Sequence, residues 1–276
     1  MACLLAIVMC CSMFTAVPTF AVDGVLYEQN FKDCEVKDYG KTKPAEYLGE
    51  TNGTPAQDTY SWVVSSDETY EKYLEMKIGD TVTTSANVLE LRHTYTPTIT
   101  GVFTFDFSLK WGGGGQVKVQ IRPTGTLPDG IASWQTSTSL LEILSDGTLR
   151  AMDDAIANIA GAAKLIEGNW YDFKYVIHSD YTLPTFDVFM KRPGDQQYKA
   201  ISMGRRFLQK IGDKTLTYGS GAFNTLLLSF QNGKGENAEK SIGIDNLKIT
   251  SGVALDPETE ASILFADFEQ AVGDGI

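Results

Sequence analysis

Three things are scarce in this chain, and each absence narrows what it does. The first is cysteine. Only four occur, and Cys3, Cys10 and Cys11 fall in an uncharged apolar opening, so a chain that loses this opening keeps Cys34 alone. No internal disulfide is then available, and the fold must be held by its own core. The second is basic charge: 23 Lys and Arg against 35 Asp and Glu leave a net charge of −12. Phosphate binding needs clustered cations, so a nucleic-acid partner is not expected. A sulfated or uronate-rich polymer is also disfavoured unless a local basic strip overrides the global field. The third is histidine, with His93 and His178 only. Each is read as a solvated or hydrogen-bonded surface residue, and nothing places Cys34 beside either as a nucleophile pair.

The opening, MACLLAIVMCCSMFTAVPTFAVDG, has no charge before Asp23 and runs apolar from Leu4 to Phe14 into Thr19-Phe20-Ala21. An apolar stretch followed by small residues predicts a secretory signal over residues 1–21, although the usual basic start is missing. The competing reading is a membrane anchor. It is disfavoured because Cys10, Cys11, Ser12 and Pro18 break a run already shorter than the ~20 apolar residues of a span. The expectation is an exported or cell-surface bacterial protein with no membrane insertion after cleavage. About 255 residues then remain, ample for one core, since roughly three quarters of the chain surface is buried at that size.

What is present is period-two alternation. In GVFTFDFSLKW, Phe103, Phe105, Phe107, Leu109 and Trp111 share one face, and Thr104, Asp106, Ser108 and Lys110 share the other. After GGGG, Val117, Val119 and Ile121 alternate with Gln116, Lys118, Gln120 and Arg122. These two stretches predict a hairpin with a mobile glycine connection. Asp146-Gly147 marks another hairpin as the dipeptide of a type I′ turn. YSWVVSS, KYLEMKI, NVLELRH, NWYDFKYVIHSD, PTFDVFMKRPG, TLLLSFQNG and KSIGIDNLKIT supply further strands. DDAIANIAGAAKLI is left open between a short helix and an irregular edge strand. Some twelve or thirteen short strands predict an all-β fold, an antiparallel two-sheet β-sandwich.

That domain is expected over residues 22–250. SGVALDPETEAS, 251–262, is polar and acidic and is read as a linker. Residues 263–276, SILFADFEQAVGDGI from Ser262 onward, echo VLYEQNFKDCEVKDYG near the front. They are read as the possible start of a second, similar domain, or alternatively as an edge strand of the first. The expectation is a monomeric module at the front of a longer chain.

GNWYDFKYVIHSDYTLPTFDVFMKRPGD, the closing SIGIDNLKIT and the opening LYEQNFKD resemble concanavalin A-like and laminin-G-like jelly rolls of secreted bacterial carbohydrate-associated proteins. The resemblance covers most of Val25 to Thr250 and implies a jelly roll whose first and last strands pair. It also implies a structural Ca²⁺ where those strands meet, with Asp33, Glu35, Asp245 and backbone oxygens as ligands; Asp245-Asn246 as a simple turn pair is the alternative. The catalytic runs of the enzyme branches are not matched. Glu142-Ile143-Leu144-Ser145 lacks the Asp of the glucanase run that pairs two carboxylates. Gln120-Ile121-Arg122 has Arg where the alginate-lyase branch has His, and Tyr171-Asp172-Phe173-Lys174 departs from its Tyr-Phe-Lys run.

Sugar rings stack on aromatic faces while flanking polar groups take their hydroxyls. Trp62 and Trp170 are expected in the core, which leaves Trp111 and Trp134 as ligand-stacking candidates. Asp106, Lys110, Lys118, Gln120 and Arg122 would form a polar strip on the outer face of one sheet; a solvated face with cross-strand ion pairs is the plain alternative. The expected function is a non-catalytic carbohydrate-binding module whose partner is a polysaccharide or glycan. The alternatives are a polysaccharide lyase or glycoside hydrolase of the same fold, and a structural or adhesive spacer.

Overall fold

The alternating stretches become strands that stack in two layers. The computed structural model describes residues 24–40, 60–79, 88–123, 135, 137–153, 155–179, 183–216, 223–231 and 239–252. The leader, Trp134, the acidic linker and the segment 263–276 lie outside the described residues. In chain order the strands are β1 (Val25–Gln29), β2 (Lys37–Asp38), β3 (Tyr60–Ser65), β4 (Tyr73–Ile78), β5 (Val88–Ile99), β6 (Val102–Trp111), β7 (Gln116–Pro123), β8 (Thr138–Ile143) and β9 (Leu149–Asp153). They continue as β10 (Ala155–Asn158), β11 (Trp170–His178), β12 (Thr185–Lys191), β13 (Lys199–Arg206), β14 (Lys210–Ile211), β15 (Lys214–Thr215), β16 (Phe223–Gln231) and β17 (Lys240–Ser251). No α-helix occurs among the described residues. The ambiguous DDAIANIA stretch is an edge strand, β10, paired with β9.

One sheet has nine strands in the order β13-β12-β11-β6-β17-β4-β3-β2, with β1 also on β17; the other has six, β10-β9-β8-β7-β16-β5. β17 serves two partners along one edge, β4 through Lys240–Ile244 and β1 through Leu247–Thr250. First and last strands therefore pair, as the resemblance implied. Between the two stretches the register against β6 slips from Asp245 to Lys248, and Asn246 adopts φ 51°. This is a mid-strand bulge, a device that bends the strand between its two partners.

The core lies between the sheets. Phe103, Phe105, Phe107, Leu109 and Trp111 of β6 all point into it, as the alternation requires. Phe107 stacks on Phe173 at 5.3 Å and lies nearly parallel to Tyr175 at 6.0 Å. Each fully buried side chain of this size contributes about 1.5–3 kcal/mol. At the edge, Arg205 of β13 reaches across to the carbonyls of Ala151 and Asn158 in the other sheet.

Two expectations are corrected here. β6 and β7 are not a hairpin: they belong to different sheets, and the glycine run carries the chain from one layer to the other. Nor is that run an open loop. A Cβ on Gly112 would stand 2.1 Å from the Ser241 carbonyl oxygen, and one on Gly115 would stand 2.2 Å from the Phe230 ring. Glycine is required because backbones and rings pass too close for any side chain. The tryptophans also redistribute. Trp62 is buried as expected, but Trp111 is 5 % exposed and packs in the core. Trp170 is half-buried on the outer face of the nine-stranded sheet, because its neighbours Tyr171 and Phe173 alternate inward.

Candidate functional site

β7 lies inside the six-stranded sheet, and its two faces divide cleanly. Val117, Val119 and Ile121 are buried in the core, so Gln116, Lys118, Gln120 and Arg122 point away from it. Directly opposed residues of an antiparallel pair share a face, so register defines rows across the sheet. One row runs Glu90, Ser229, Lys118, Glu142, Arg150 from β5 to β9. The next runs Arg92, Leu227, Gln120, Ser139. Arg122 begins a third.

This face is recessed. Leu227, Ser229, Ser139 and Glu142 point outward yet are all buried, because longer side chains stand around them. Glu142 lies 3.6 Å from Lys118 Nζ, 4.0 Å from Arg150 Nη1 and 3.4 Å from Ser139 Oγ. Gln120 Nε2 donates to Ser139 Oγ at 3.3 Å, and Arg92 Nη2 donates to Glu90 Oε2 at 3.2 Å. Arg122 Nε donates to Ser137 Oγ at 3.2 Å, and its two terminal nitrogens have no partner among the described residues. Burial pushes the Glu90 carboxyl up, with Arg92 and Arg122 opposing the shift. Burial and then the neighbouring Arg92 charge push the Arg122 guanidinium down, with Glu90 opposing. The cations Arg92, Lys118, Arg122 and Arg150 outnumber the carboxylates Glu90 and Glu142, which makes a locally basic field on an acidic protein.

Lys118, Gln120 and Arg122 thus come together as the alternation of β7 requires. Asp106 and Lys110 do not join them, because β6 is in the other sheet. Asp106 stands between Lys174, at 3.7 Å, and Lys248, its β17 neighbour. Burial raises its carboxyl to about 6 against the pull of both lysines. Lys110 binds Asp67 at 2.9 Å. Trp111 is shut inside the core, and Trp134 lies outside the described residues. Glu90, Arg92, Ser229, Glu142 and Arg150 were missed by sequence reasoning. Their outward phase is visible in VLELRH and TSLLEI, but their adjacency to β7 is a matter of strand order. His178 is hydrogen-bonded as expected, with Nε2 3.0 Å from Asp187 Oδ2.

The three carboxylates named for calcium do not form one cluster. Asp33 and Glu35 are exposed, and Glu35 pairs with Lys37 at 2.5 Å. Asp245 is buried with Oδ1 unpartnered, and burial raises its carboxyl to about 7. Two carbonyls of the β1–β2 loop, those of Lys32 and Cys34, already accept the Lys72 ammonium at 2.6 and 2.7 Å. Among the described residues no group of three His, Cys, Asp or Glu side chains is placed to hold a metal. Asp245 offers an acceptor to a cation, and it does not gather with Asp33 and Glu35 into one group.

Two antiparallel sheets packed face to face, with first and last strands paired and a recessed polar face on the smaller sheet, define an antiparallel two-sheet β-sandwich of the jelly-roll kind. No family model matches the chain, and no curated protein matches it. Among solved structures it is similar to a cellulose induced protein, Cip1, at 12% identity over 83% of this chain and 100% of that one, with a TM-score of 0.44. It is similar also to the catalytic domain of a glycoside hydrolase family 131 protein from Coprinopsis cinerea (11% identity, 83% and 94% covered, TM-score 0.46). A third is lectin II from Ulex europaeus (12% identity, 79% and 98% covered, TM-score 0.41). Likenesses at this level add nothing to the architecture, which stands on strand order and register.

Proposed function

We propose that the protein is an exported, non-catalytic carbohydrate-binding module that takes its glycan across the outer face of the six-stranded sheet. The observation that supports this most is the recessed row structure around Arg122. Three guanidiniums, a lysine and an amide crowd one face, and the Arg122 fork keeps its terminal nitrogens for a ligand. Planar forks of this kind bind carboxylate or sulfate bidentately. The local excess of cations therefore directs the site toward an acidic glycan, against the sign of the whole molecule. Export rests on the leader sequence.

Binding is favoured over hydrolysis by the spacing of the two carboxylates. Glu90 and Glu142 share a row but stand three interstrand steps apart, about 14 Å along the backbone, whereas paired glycosidase carboxylates work at ~5–9.5 Å. Affinity electrophoresis of the purified protein through gels holding neutral or uronate-rich polysaccharides tests the proposal. Retardation is expected with the acidic polymers. Arg122→Ala should weaken it by the ~1.5–3 kcal/mol of a hydrogen bond to a charged group, with the thermal midpoint unchanged. Retardation by neutral polymers alone would sink the acidic assignment. Release of reducing ends or of unsaturated uronate from any polymer would sink the non-catalytic one.

A further inference from the structure

The opposite sheet carries an aromatic cluster that this function does not use. Trp170, at the start of β11, faces outward and packs on Tyr70 with ring centroids 4.2 Å apart and on the edge of Tyr73 at 5.1 Å. The indole is held in place by its polar end, since Nε1 donates to Asp67 Oδ2 at 2.8 Å and the same oxygen accepts Lys110 Nζ at 2.9 Å. Asp67 is in turn fixed through Oδ1 by the backbone N–H groups of Thr69 and Tyr70. Lys110, Trp170 and those two amides hold its carboxyl low, at about 2, despite the opposing effect of burial. Tyr70 is anchored as well, its hydroxyl lying 2.9 Å from both Ser108 Oγ and Asp172 Oδ1.

Beside this platform opens a groove of about 380 Å³ lined by Tyr70, Asn169, Trp170, Asp172, Lys191 and Asp195. Its far wall is the turn after β12, closed by Arg192 N–H donating to Asp195 Oδ2 at 3.1 Å. Asp172 and Lys191 face each other across β11 and β12. Oδ1 of Asp172 is taken by Tyr70 and Ser108, which turns Oδ2 toward the groove. The Lys191 ammonium, the Asn169 amide and Asp172 Oδ2 have no protein partner among the described residues. An aromatic wall with a few converging polar groups in a space of this size is the usual composition of a small-ligand site.

We propose that this groove is a second binding site, for a single neutral pyranose residue. The C–H face of the ring lies on Trp170, and hydroxyls are taken by Asn169, Asp172 and Lys191. Aromatic stacking and hydroxyl recognition both act on an uncharged sugar, and the site shares no residue with the basic face of the other sheet. It stands whether or not that face binds an acidic polymer.

The experiment is a titration of the whole protein with methyl pyranosides of glucose, galactose, mannose, xylose and N-acetylglucosamine, following the indole N–H resonances by two-dimensional NMR. At least one pyranoside should shift the Trp170 signal saturably, with Kd on the order of 1 mM. Asn169→Ala and Lys191→Ala, which remove polar groups with no protein partner among the described residues, should weaken that shift about tenfold or more, while Arg122→Ala leaves it unchanged. Absence of a saturable Trp170 shift with every pyranoside overturns the proposal. So does a shift that Asn169→Ala and Lys191→Ala both leave intact.

Discussion

Arg122 and Tyr175 show how a single side chain's unused hydrogen-bonding capacity carries opposite meanings. Arg122 reaches a half-buried face, and its terminal nitrogens have no partner among the described residues. Arg122→Lys keeps the charge but removes the planar fork, so affinity for an acidic polymer should fall almost as far as in the alanine variant. Tyr175 is wholly buried among phenylalanines, and its hydroxyl has no partner among the described residues; burial pushes that hydroxyl's pKa well up. A buried unsatisfied hydroxyl costs stability, and its ring stacks without needing the oxygen. Tyr175→Phe should therefore raise stability by about 1 kcal/mol, read from the midpoint of chemical unfolding. An unchanged or lowered midpoint would mean that the hydroxyl is satisfied.

At the scale of elements, the decisive piece is the glycine crossing between β6 and β7. Four glycines in a row look like slack, yet Gly112 and Gly115 are packed against Ser241 and Phe230 with no room for a Cβ. Gly112→Ala should lower stability by about 3 kcal/mol or more, because its obstacle is backbone and cannot rotate away. A change within experimental error would show the crossing to be loose. The hairpin at Asp146-Gly147 was legible, but its loop has three residues rather than two. Gly147 N–H donates to the Leu144 carbonyl, Leu144 and Thr148 close the ladder, and Gly147 sits at φ 82°. That is the geometry of a type I turn with a glycine bulge. β13 was not legible, because its strand character comes from pairing with β12.

For the whole molecule, the two carboxyls that burial raises furthest set a pH response. Asp106 and Asp245 sit at about 6 and about 7, against an ordinary value of 3.8. Between these values the folded chain holds protons that the unfolded chain has released, so stability falls as pH rises. The stability is fully present below about pH 4 for these groups and is lost as pH passes 6 and 7, an effect of a few kcal/mol. Thermal midpoints across that window should decline, and Asp106→Asn should flatten the lower part of the decline. A midpoint that climbs from pH 4 to 7 in proportion to these groups would contradict their placement. Because the Lys72 ammonium already ties the β1–β2 loop through the Lys32 and Cys34 carbonyls, chelation of divalent cations should leave the midpoint unchanged. A fall on chelation would show that Asp245 draws cation ligands from elsewhere.

The sequence by itself determined where most of the strands lie and which residues of each strand share a face, because period-two alternation reports the direction of a side chain relative to its own backbone. That was enough to put Phe103 to Trp111 inside and to align Lys118, Gln120 and Arg122 outside. Strand order was decided only by the tertiary structure. Pairing of β16 with β5 and with β7 joins segments far apart in the chain, and alternation within a strand carries no mark of its neighbour. Hence Glu90, Arg92 and Glu142 joined the basic face while Asp106 and Lys110 went to the other sheet. Trp170 turned outward against expectation for a related reason. Its phase in β11 was legible, but which side of that strand met the core depended on where β6 and β12 lay.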